Sequence, residues 1–420
     1  MIKYSVFLRL AGRFFLCLIG LIILFFLLVC TSACIPHTAI AEHVKSSADI
    51  LEKEGLYPVS FGNKYSSLSF LGRDQYTDCL MLNLAIAQDA SVPLESAITS
   101  PCLKGTYDLD QMPSNLRRLA DGSVLPDTNY DWYWHGYLVI LKPLLVFFDY
   151  GQIRWINCVL MLLLVVWILV LVARKIGRAE MLLLLAALLM MHYETVPYTM
   201  QFASVFFVTF LSIIIFLSFP KWFFRSGHDY MAFFTIGAVT VFVDFLTTPV
   251  VSLGLPLLIW LLYKNPPDKA RQVILFSVAW GLGYALLWMS KWAICAVSFD
   301  PLVLQHAAEH ADKWGGNDAE AGRLAMTVGV FKKYLALLWS MNWLWCLCVT
   351  AVLLWIKSGI QQMRNNLWLL LVAVIPFVWS LVLVNHNFVH FGFTWRLIVV
   401  TLYAMALLTY RSVSNGSIRK

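Results

Sequence analysis

Residues 152–173 read QIRWINCVLMLLLVVWILVLVA, and no charged side chain follows Arg154 in this stretch. A helix of this length extends about 33 Å, which matches the hydrocarbon thickness of a bilayer. Because lipid offers no hydrogen-bond partners, the backbone groups of such a run must pair with one another, as they do in a helix. The stretch therefore predicts a transmembrane helix and indicates the class of the whole chain.

The rest of the sequence has the same character. Hydrophobic residues make up 60% of the chain and charged residues only 13%, which excludes an ordinary soluble domain. We therefore predict an all-α polytopic membrane protein with about ten transmembrane helices. The predicted spans are residues 14–31, 152–173, 180–192, 201–219, 230–246, 249–263, 272–297, 334–356, 367–384 and 391–410.

The distribution of Lys and Arg predicts the orientation. With a cytoplasmic N-terminus, the inner segments hold 16 basic and three acidic residues, whereas residues 35–135 hold 13 acidic and seven basic ones. The even number of spans then returns the C-terminus to the cytoplasm. Residues 1–420 are interpreted as a single membrane domain with a large extracytoplasmic loop at 35–135 and a second one at 298–333. The positive net charge reflects this topology, and we expect no nucleic-acid partner.

Two features of the N-terminal part leave alternatives open. The first apolar run follows Lys3, Arg9 and Arg13 and precedes small residues, so a cleaved signal segment is the alternative to a retained span. Cys79 and Cys102 lie in the same outer loop, where an oxidising exterior would permit a disulfide; a pair of free thiols is the alternative.

The first outer loop has the pattern of helices rather than strands. Apolar spacing predicts helices at Ala41–Glu54, closed by Gly55, at Thr77–Asp89, capped by Thr77 or Asp78, and at Ser114–Ala120. The loop ends in DWYWHGYLVILKPLLVFFDY, residues 131–150, which we interpret as interfacial or re-entrant because Pro143 interrupts its apolar run. Its aromatic group, residues 132–137, predicts a membrane anchor, with sugar stacking as the alternative. In the second outer loop, Gly315-Gly316 is a candidate hinge for a lid.

The stretch RDQYTDCLMLN, residues 73–83, holds the main catalytic candidates, Asp78 first and Asp74 second. On a helix, the two carboxylates share one face, where they can bind a cation or act as acid and base. The alternative interpretation is that Asp74 is solvated and Asp78 only caps the helix. No cofactor is certain from the sequence, and a divalent cation at these carboxylates is the one possibility.

Further candidate substrate-binding residues lie at the predicted outer membrane face. Ionisable groups at this depth usually face a cavity or one another. Snorkelling of Lys291 and Arg396, and ion pairs of Glu194 and Asp244 with these cations, are the structural alternatives. His306 and His310 have zinc-ligand spacing, but no third ligand is evident, so loop histidines are favoured and no metal site is assigned. The candidates are Arg154, Lys291, Arg396, His386, His135, Glu194, Asp244 and Trp134.

A large outer loop after the first span, with an acidic residue at a helix start and basic residues at the membrane face, resembles the C-type glycosyltransferase superfamily. The chain also looks like a group of bacterial membrane proteins of this layout whose function is not assigned. The segments that carry this second resemblance are TDCLMLN (77–83), YWHGYLVILKPLL (133–145), HYETVP (192–197), DFLTTP (244–249), GYALLWMSKW (283–292) and HNFVHFGFTWR (386–396).

The first resemblance implies a polyprenyl-phosphate-linked sugar donor, a cell-envelope glycan or lipid acceptor, membrane lipids around the protein, and a bacterial plasma-membrane location. It also implies a catalytic carboxylate in the first outer loop, for which Asp78 is the first choice. Arg154, Lys291, Arg396 or His386 would stabilise the departing phosphate. A transporter or flippase explains the charges at membrane depth equally well, and a non-enzymatic scaffold is a third alternative.

Overall fold

The structure is a computed structural model that describes residues 2–58, 72–104, 111–223, 228–317, 322–340, 342–358 and 364–417. Two short strands, β1 (Pro101–Cys102) and β2 (Thr128–Asn129), pair in antiparallel register. The helices are α1 (Ile2–Ala33), α2 (His37–Glu54), α3 (Gln75–Ile86), α4 (Pro93–Thr99), α5 (Met112–Ala120), α6 (Leu138–Leu145), α7 (Tyr150–Lys175), α8 (Arg178–Met190), α9 (Met200–Ser218), α10 (Pro220–Phe223), α11 (His228–Val243), α12 (Val251–Lys264), α13 (Lys269–Ser298), α14 (Val303–Gly315), α15 (Arg323–Ser340), α16 (Asn342–Ser358), α17 (Trp368–Val382), α18 (Val384–Val389), α19 (Phe391–Thr394) and α20 (Ile398–Ser417).

The membrane character predicted from the sequence is present in these helices. Among the described residues, five segments are long and apolar enough to cross a bilayer, and three shorter helices are also apolar. The described residues of the predicted span 334–356 are helical, in α15 and α16. The five long segments are Ala11–Ala33, Tyr150–Lys175, Met200–Ser218, Lys269–Ser298 and Phe391–Val413; the shorter helices are His228–Val243, Val251–Lys264 and Trp368–Val382.

Two glycines allow a close contact between α11 and α13. A Cβ added to Gly237 of α11 would lie 2.0 Å from the carbonyl oxygen of Trp280, and one added to Gly283 of α13 would lie 1.9 Å from that of Phe234. Since neither distance is sterically possible, α11 and α13 can pack backbone to backbone only because both positions lack a side chain.

The described parts of residues 37–145 form a small helical layer, called the loop layer below, with its own apolar core. The predicted loop helices are confirmed as α2, α3 and α5 with shifted bounds, and Gly55 closes α2 with a positive φ of 78°. The layer is tied to the bundle where Ser32 Oγ donates to the carbonyl oxygen of Leu138 (2.9 Å). The described parts of the first large loop therefore form a layer packed on the bundle.

Three local predictions were wrong. The N-cap of α3 is Asp74, one turn earlier than predicted, because the chain turns into the helix at Gln75. The aromatic group does not anchor the protein in lipid headgroups: Tyr133, Trp134 and Tyr137 are buried inside the protein. His310 lies on α14 rather than in an irregular loop, and its Nε2 accepts a hydrogen bond from Trp314 (3.2 Å).

The cysteines of the loop layer are free thiols in the structure. Both Cys79 and Cys102 are buried and unbonded to each other. Burial raises the pKa of both thiols to about 12, which makes them poor nucleophiles.

Candidate functional site

A cavity of about 420 Å³ lies between the loop layer and the bundle. Its wall combines one carboxylate, one guanidinium, two imidazoles and seven aromatic rings, drawn from segments far apart in the chain. The described lining residues are Tyr57, Gly72, Arg73, Asp74, Tyr76, Thr77, Leu80, Tyr130, Tyr133, Gln201, Phe245, Trp314, His386, Val389, His390, Gly392 and Phe393. Concave sites of this size, mostly apolar with a few polar groups, are typical of small-ligand binding.

Asp74 is the carboxylate on the cavity wall. Its Oδ1 accepts from the backbone N–H of Thr77 (3.1 Å) and its Oδ2 from the Thr77 hydroxyl (2.9 Å), so the side chain caps α3 and is held in one orientation. The side chain is not solvated, because the residue is only 7% exposed. Burial raises the pKa of Asp74, although the Thr77 bonds and the Arg396 charge oppose this shift. A fixed carboxylate with a raised pKa suits a general base.

His386 and His390 form the opposite wall around the indole of Trp314. The Trp314 ring centre lies 5.0 Å from that of His386 and 5.3 Å from that of His390. Burial lowers the pKa of His386 well below its ordinary value and that of His390 to about 4. Both imidazoles are therefore neutral at pH 7 and contribute hydrogen bonds rather than positive charge.

Arg396 lies fully buried next to this wall. Its Nη2 donates to the Thr195 hydroxyl (3.1 Å) and to the carbonyl oxygen of Gly72 (3.4 Å), and its guanidinium stacks 4.2 Å from the ring centre of Phe202. The snorkelling alternative is thus wrong for Arg396, because the side chain points into the protein. Arg396 affects the cavity through Asp74, because its positive charge stabilises the ionised carboxylate and so opposes the rise in the pKa of Asp74.

Asp78, the first catalytic choice from the sequence, does not line the cavity among the described residues. It is completely buried and accepts three hydrogen bonds, from the Tyr150 hydroxyl (2.6 Å), the N–H of Met200 (3.0 Å) and the N–H of Gln201 (3.0 Å). The last two donors are at the first turn of α9, so Asp78 caps a helix 122 residues away in the chain. Burial raises the pKa of Asp78 to about 7, against the effect of its three donors.

Arg154 belongs to the same network but is neutralised by Glu54. The guanidinium makes two 2.7 Å bonds to the two carboxylate oxygens of Glu54 and a weaker one to Gln75 Oε1 (3.3 Å), which also accepts from Tyr150. Hydrogen bonding to Arg154 lowers the pKa of Glu54. Arg154 therefore joins α2 to α7 and lies close to Asp78 without facing the cavity.

Lys291, Trp134 and His135 are buried away from the cavity wall. The Lys291 ammonium donates to the carbonyl oxygen of Ile98 and lies 6.0 Å from the ring centre of Trp134, so its proposed snorkelling is also wrong. Trp134 Nε1 donates to the carbonyl oxygen of Leu287 (2.8 Å). The His135 ring bonds the carbonyl oxygen of Tyr130 (2.7 Å), and burial lowers the pKa of His135 to about 3. Lys291 and Trp134 therefore join the loop layer to the bundle, whereas His135 bonds within the layer.

The two remaining acidic candidates are engaged locally and make no ion pair with Lys291 or Arg396. Glu194 pairs with His192 Nδ1 (2.7 Å) and is partly exposed. Asp244 is buried and accepts from the N–H (3.0 Å) and hydroxyl (2.6 Å) of Thr247, which fixes the turn after α11. Of the ten residues predicted from the sequence, the structure thus places Asp74 and His386 on the cavity wall and Arg396 beside it.

An apolar groove of about 880 Å³ runs along the bundle. It is lined by residues of α1, α3, α6, α7, α9 and α11, and it follows α9 from Met200 to Phe216, a length of about 24 Å. Helix α3 contributes to both sites: Thr77 and Leu80 line the cavity, and Met81, the next residue, lines the groove. Asp78 accepts from the backbone N–H groups of Met200, which lines the groove, and of Gln201, which lines the cavity.

Several cavity residues were missed by the sequence reasoning. Gln201 lies at the start of a long apolar run, where the sequence indicates only the beginning of a helix. Trp314 lies in a segment that the sequence predicts as a loop. The signal that was present lies in the segment HNFVHFGFTWR, where His390 follows His386 by one helical turn. In the described ranges no three His, Cys, Asp or Glu side chains come together as metal ligands, so the divalent cation considered at Asp74 and Asp78 has no ready set of ligands there.

No family model matches the chain, and the searches of curated proteins and of solved structures also gave no match.

Proposed function

We propose that this protein is a multi-pass membrane glycosyltransferase that moves a sugar from a polyprenyl-phosphate-linked donor to a cell-envelope acceptor at the outer face of a bacterial plasma membrane. The proposal includes the topology of about ten spans with both termini in the cytoplasm. The observation that carries it is the pairing of an aromatic, carboxylate-bearing cavity with a long apolar groove; neighbouring residues of α3 (Leu80 and Met81) and of α9 (Gln201 and Met200) line the two sites. A lipid-linked sugar has the same two parts, a polar head and a hydrocarbon chain.

The reaction assigns Asp74 the role of general base. Asp74 takes the proton of the acceptor hydroxyl, the acceptor oxygen bonds to the anomeric carbon, and the bond from that carbon to the donor phosphate oxygen breaks. The electron pair stays on the phosphate, which leaves as polyprenyl phosphate, and one such displacement inverts the anomeric centre. Arg73 lines the cavity and is the cation best placed for the departing phosphate, although it also pairs with Glu54 (3.3 Å).

Asp78 supports this chemistry indirectly. By capping α9 and bonding Tyr150, it holds α3 in place, and with it the Asp74 cap at the start of the same helix. This assignment reverses the order of the two carboxylates that the sequence suggested, because a base must reach its substrate and Asp74 is the one on the cavity wall.

The test compares cells that express wild-type protein, Asp74→Asn, or Asp49→Asn. Asp49 is an exposed carboxylate of the loop layer and serves as the matched control. We expect loss of the gene product or Asp74→Asn to remove a sugar from the envelope glycans and to accumulate its lipid-linked donor, with Asp49→Asn unchanged. Mass spectrometry of the glycans and of the extracted lipid reports both. Normal glycans at wild-type protein level in Asp74→Asn would contradict the proposal.

The same cells separate a transferase from a flippase. In the transferase case, the accumulated donor is reached by periodate added outside intact spheroplasts. Donor that remains protected on the inner leaflet would contradict transfer and support translocation instead.

A further inference from the structure

Two buried polar atoms on the cavity wall have no hydrogen-bond partner in the part of the chain that the structure describes. They are Gln201 Oε1 and His386 Nδ1, on residues that are 3% and 4% exposed. A buried polar atom without a partner is costly, and such atoms are rare in folded proteins. Their presence in one cavity indicates that a ligand supplies the missing bonds.

A ligand group that both donates and accepts hydrogen bonds would satisfy these two atoms. The amide oxygen of Gln201 only accepts, whereas an imidazole nitrogen either donates or accepts according to the tautomer. A hydroxyl group satisfies both atoms, whereas a phosphate or carboxylate oxygen can only accept and would face Gln201 Oε1 with repulsion.

The charge of the wall also disfavours an anion. The described lining carries one cation, Arg73, and one carboxylate, Asp74, while His386 and His390 are neutral because burial lowers the pKa of both. Arg73 is already paired with Glu54. The interior of the cavity therefore has no surplus positive charge for a second phosphate or a uronate.

The aromatic side chains add the faces that a sugar ring uses. Tyr133, Phe245, Trp314 and Phe393 line the same cavity as Gln201 and His386, and the ring centres of Trp314 and Phe393 lie 5.0 and 6.1 Å from that of His386. The C–H faces of a pyranose pack on such rings while its hydroxyls reach polar groups at the edges.

We propose that the cavity binds an uncharged, hydroxyl-bearing pyranose ring, with one hydroxyl donating to Gln201 Oε1 and another bonding His386 Nδ1. This inference rests on the proposed function and deepens it: the neutral sugar ring occupies the cavity, and the phosphate of the donor stays at the Arg73 side. Sugars that carry a carboxylate are excluded by Gln201 and Asp74.

The test uses purified protein in detergent and saturation-transfer difference NMR with methyl hexopyranosides of glucose, galactose and mannose and their methyl hexuronides. At least one neutral glycoside should bind, and its uronide should bind tenfold more weakly or worse. Gln201→Met keeps the side-chain length but removes the acceptor, and we expect it to raise Kd about tenfold, as we expect for His386→Phe. Asp49→Asn, which alters an exposed carboxylate of the loop layer outside both the cavity and the groove, should leave Kd unchanged.

The outcomes separate this inference from the proposed function. Stronger binding of the uronide, or no glycoside binding at all, overturns the inference, and this comparison needs only wild-type protein. Equal Kd values for folded Gln201→Met and wild type also overturn it. Neutral glycoside binding together with normal envelope glycans in Asp74→Asn cells keeps the inference and overturns the transferase instead.

Discussion

Replacement by asparagine should have little effect on stability at Asp74 but a clear cost at Asp78, although the two residues lie one helical turn apart. At Asp74, asparagine keeps every contact: its oxygen accepts from the Thr77 N–H, and its amide group donates to the Thr77 hydroxyl. Because asparagine caps helices as well as aspartate does, we expect Asp74→Asn to change the free energy of unfolding by less than about 0.5 kcal/mol.

At Asp78, asparagine cannot keep every contact. Both carboxylate oxygens accept from backbone N–H groups of α9, and Oδ2 also accepts from Tyr150. An amide has only one accepting oxygen, so at least one buried N–H of α9 loses its partner, at a cost of about 1 to 3 kcal/mol. Asp78→Ala removes all three bonds and should cost about 3 to 5 kcal/mol, a large part of the stability of an ordinary domain.

Thermal unfolding of the purified variants in detergent, followed by tryptophan fluorescence, measures this order. We expect midpoints to fall from wild type and Asp74→Asn, which should coincide, to Asp78→Asn and then Asp78→Ala. Tyr150→Phe supplies a double-mutant cycle, and its coupling to Asp78→Ala should be about 1 to 2 kcal/mol because the two side chains share a 2.6 Å bond. Equal midpoints for wild type and Asp78→Asn, or no coupling to Tyr150, would refute the role of Asp78 as the cap of α9.

Three further results are expected. Burial raises the pKa of Asp78 from 3.8 to about 7, so between these pH values the folded state keeps a proton that the unfolded state releases, and stability should fall as pH rises. Unfolding midpoints measured across pH 4–8 should therefore decrease with pH, and Asp78→Asn should reduce this slope. Equal slopes for wild type and Asp78→Asn would contradict the raised pKa of Asp78. Gly283→Ala should abolish stable expression because its Cβ would meet a backbone oxygen at 1.9 Å, whereas Gly281→Ala on the same helix has open space and should express normally. Glu54→Gln and Arg154→Gln should each destabilise by about 1 to 3 kcal/mol, and the double variant by less than their sum; additive losses of melting temperature would exclude the ion pair as their cause.

Much of the fold was predictable because it depends on local patterns. Long apolar runs specify helices wherever backbone groups have no water to bond, and apolar spacing in the loop layer specified α2, α3 and α5. Gly55 was predicted to close α2, and it does so with a positive φ. The boundaries were less predictable: the cap of α3 moved from Thr77 or Asp78 to Asp74, because several residues in that stretch can cap a helix equally well.

The sequence by itself determined that this is a helical protein with segments long and apolar enough to cross a membrane and with an acidic first loop, and that chemistry-bearing side chains recur near residues 74–78 and 386–396. Only the tertiary structure decided which of those side chains face a common space. The reason is that burial depends on what packs against a residue. Asp78 contacts the start of α9, 122 positions later in the chain, and its carboxylate caps that helix instead of facing the cavity. Asp74, one turn earlier on the same helix, shares its cavity with Gln201 and His386. These residues are far apart in the chain, so no local sequence pattern predicts that they meet.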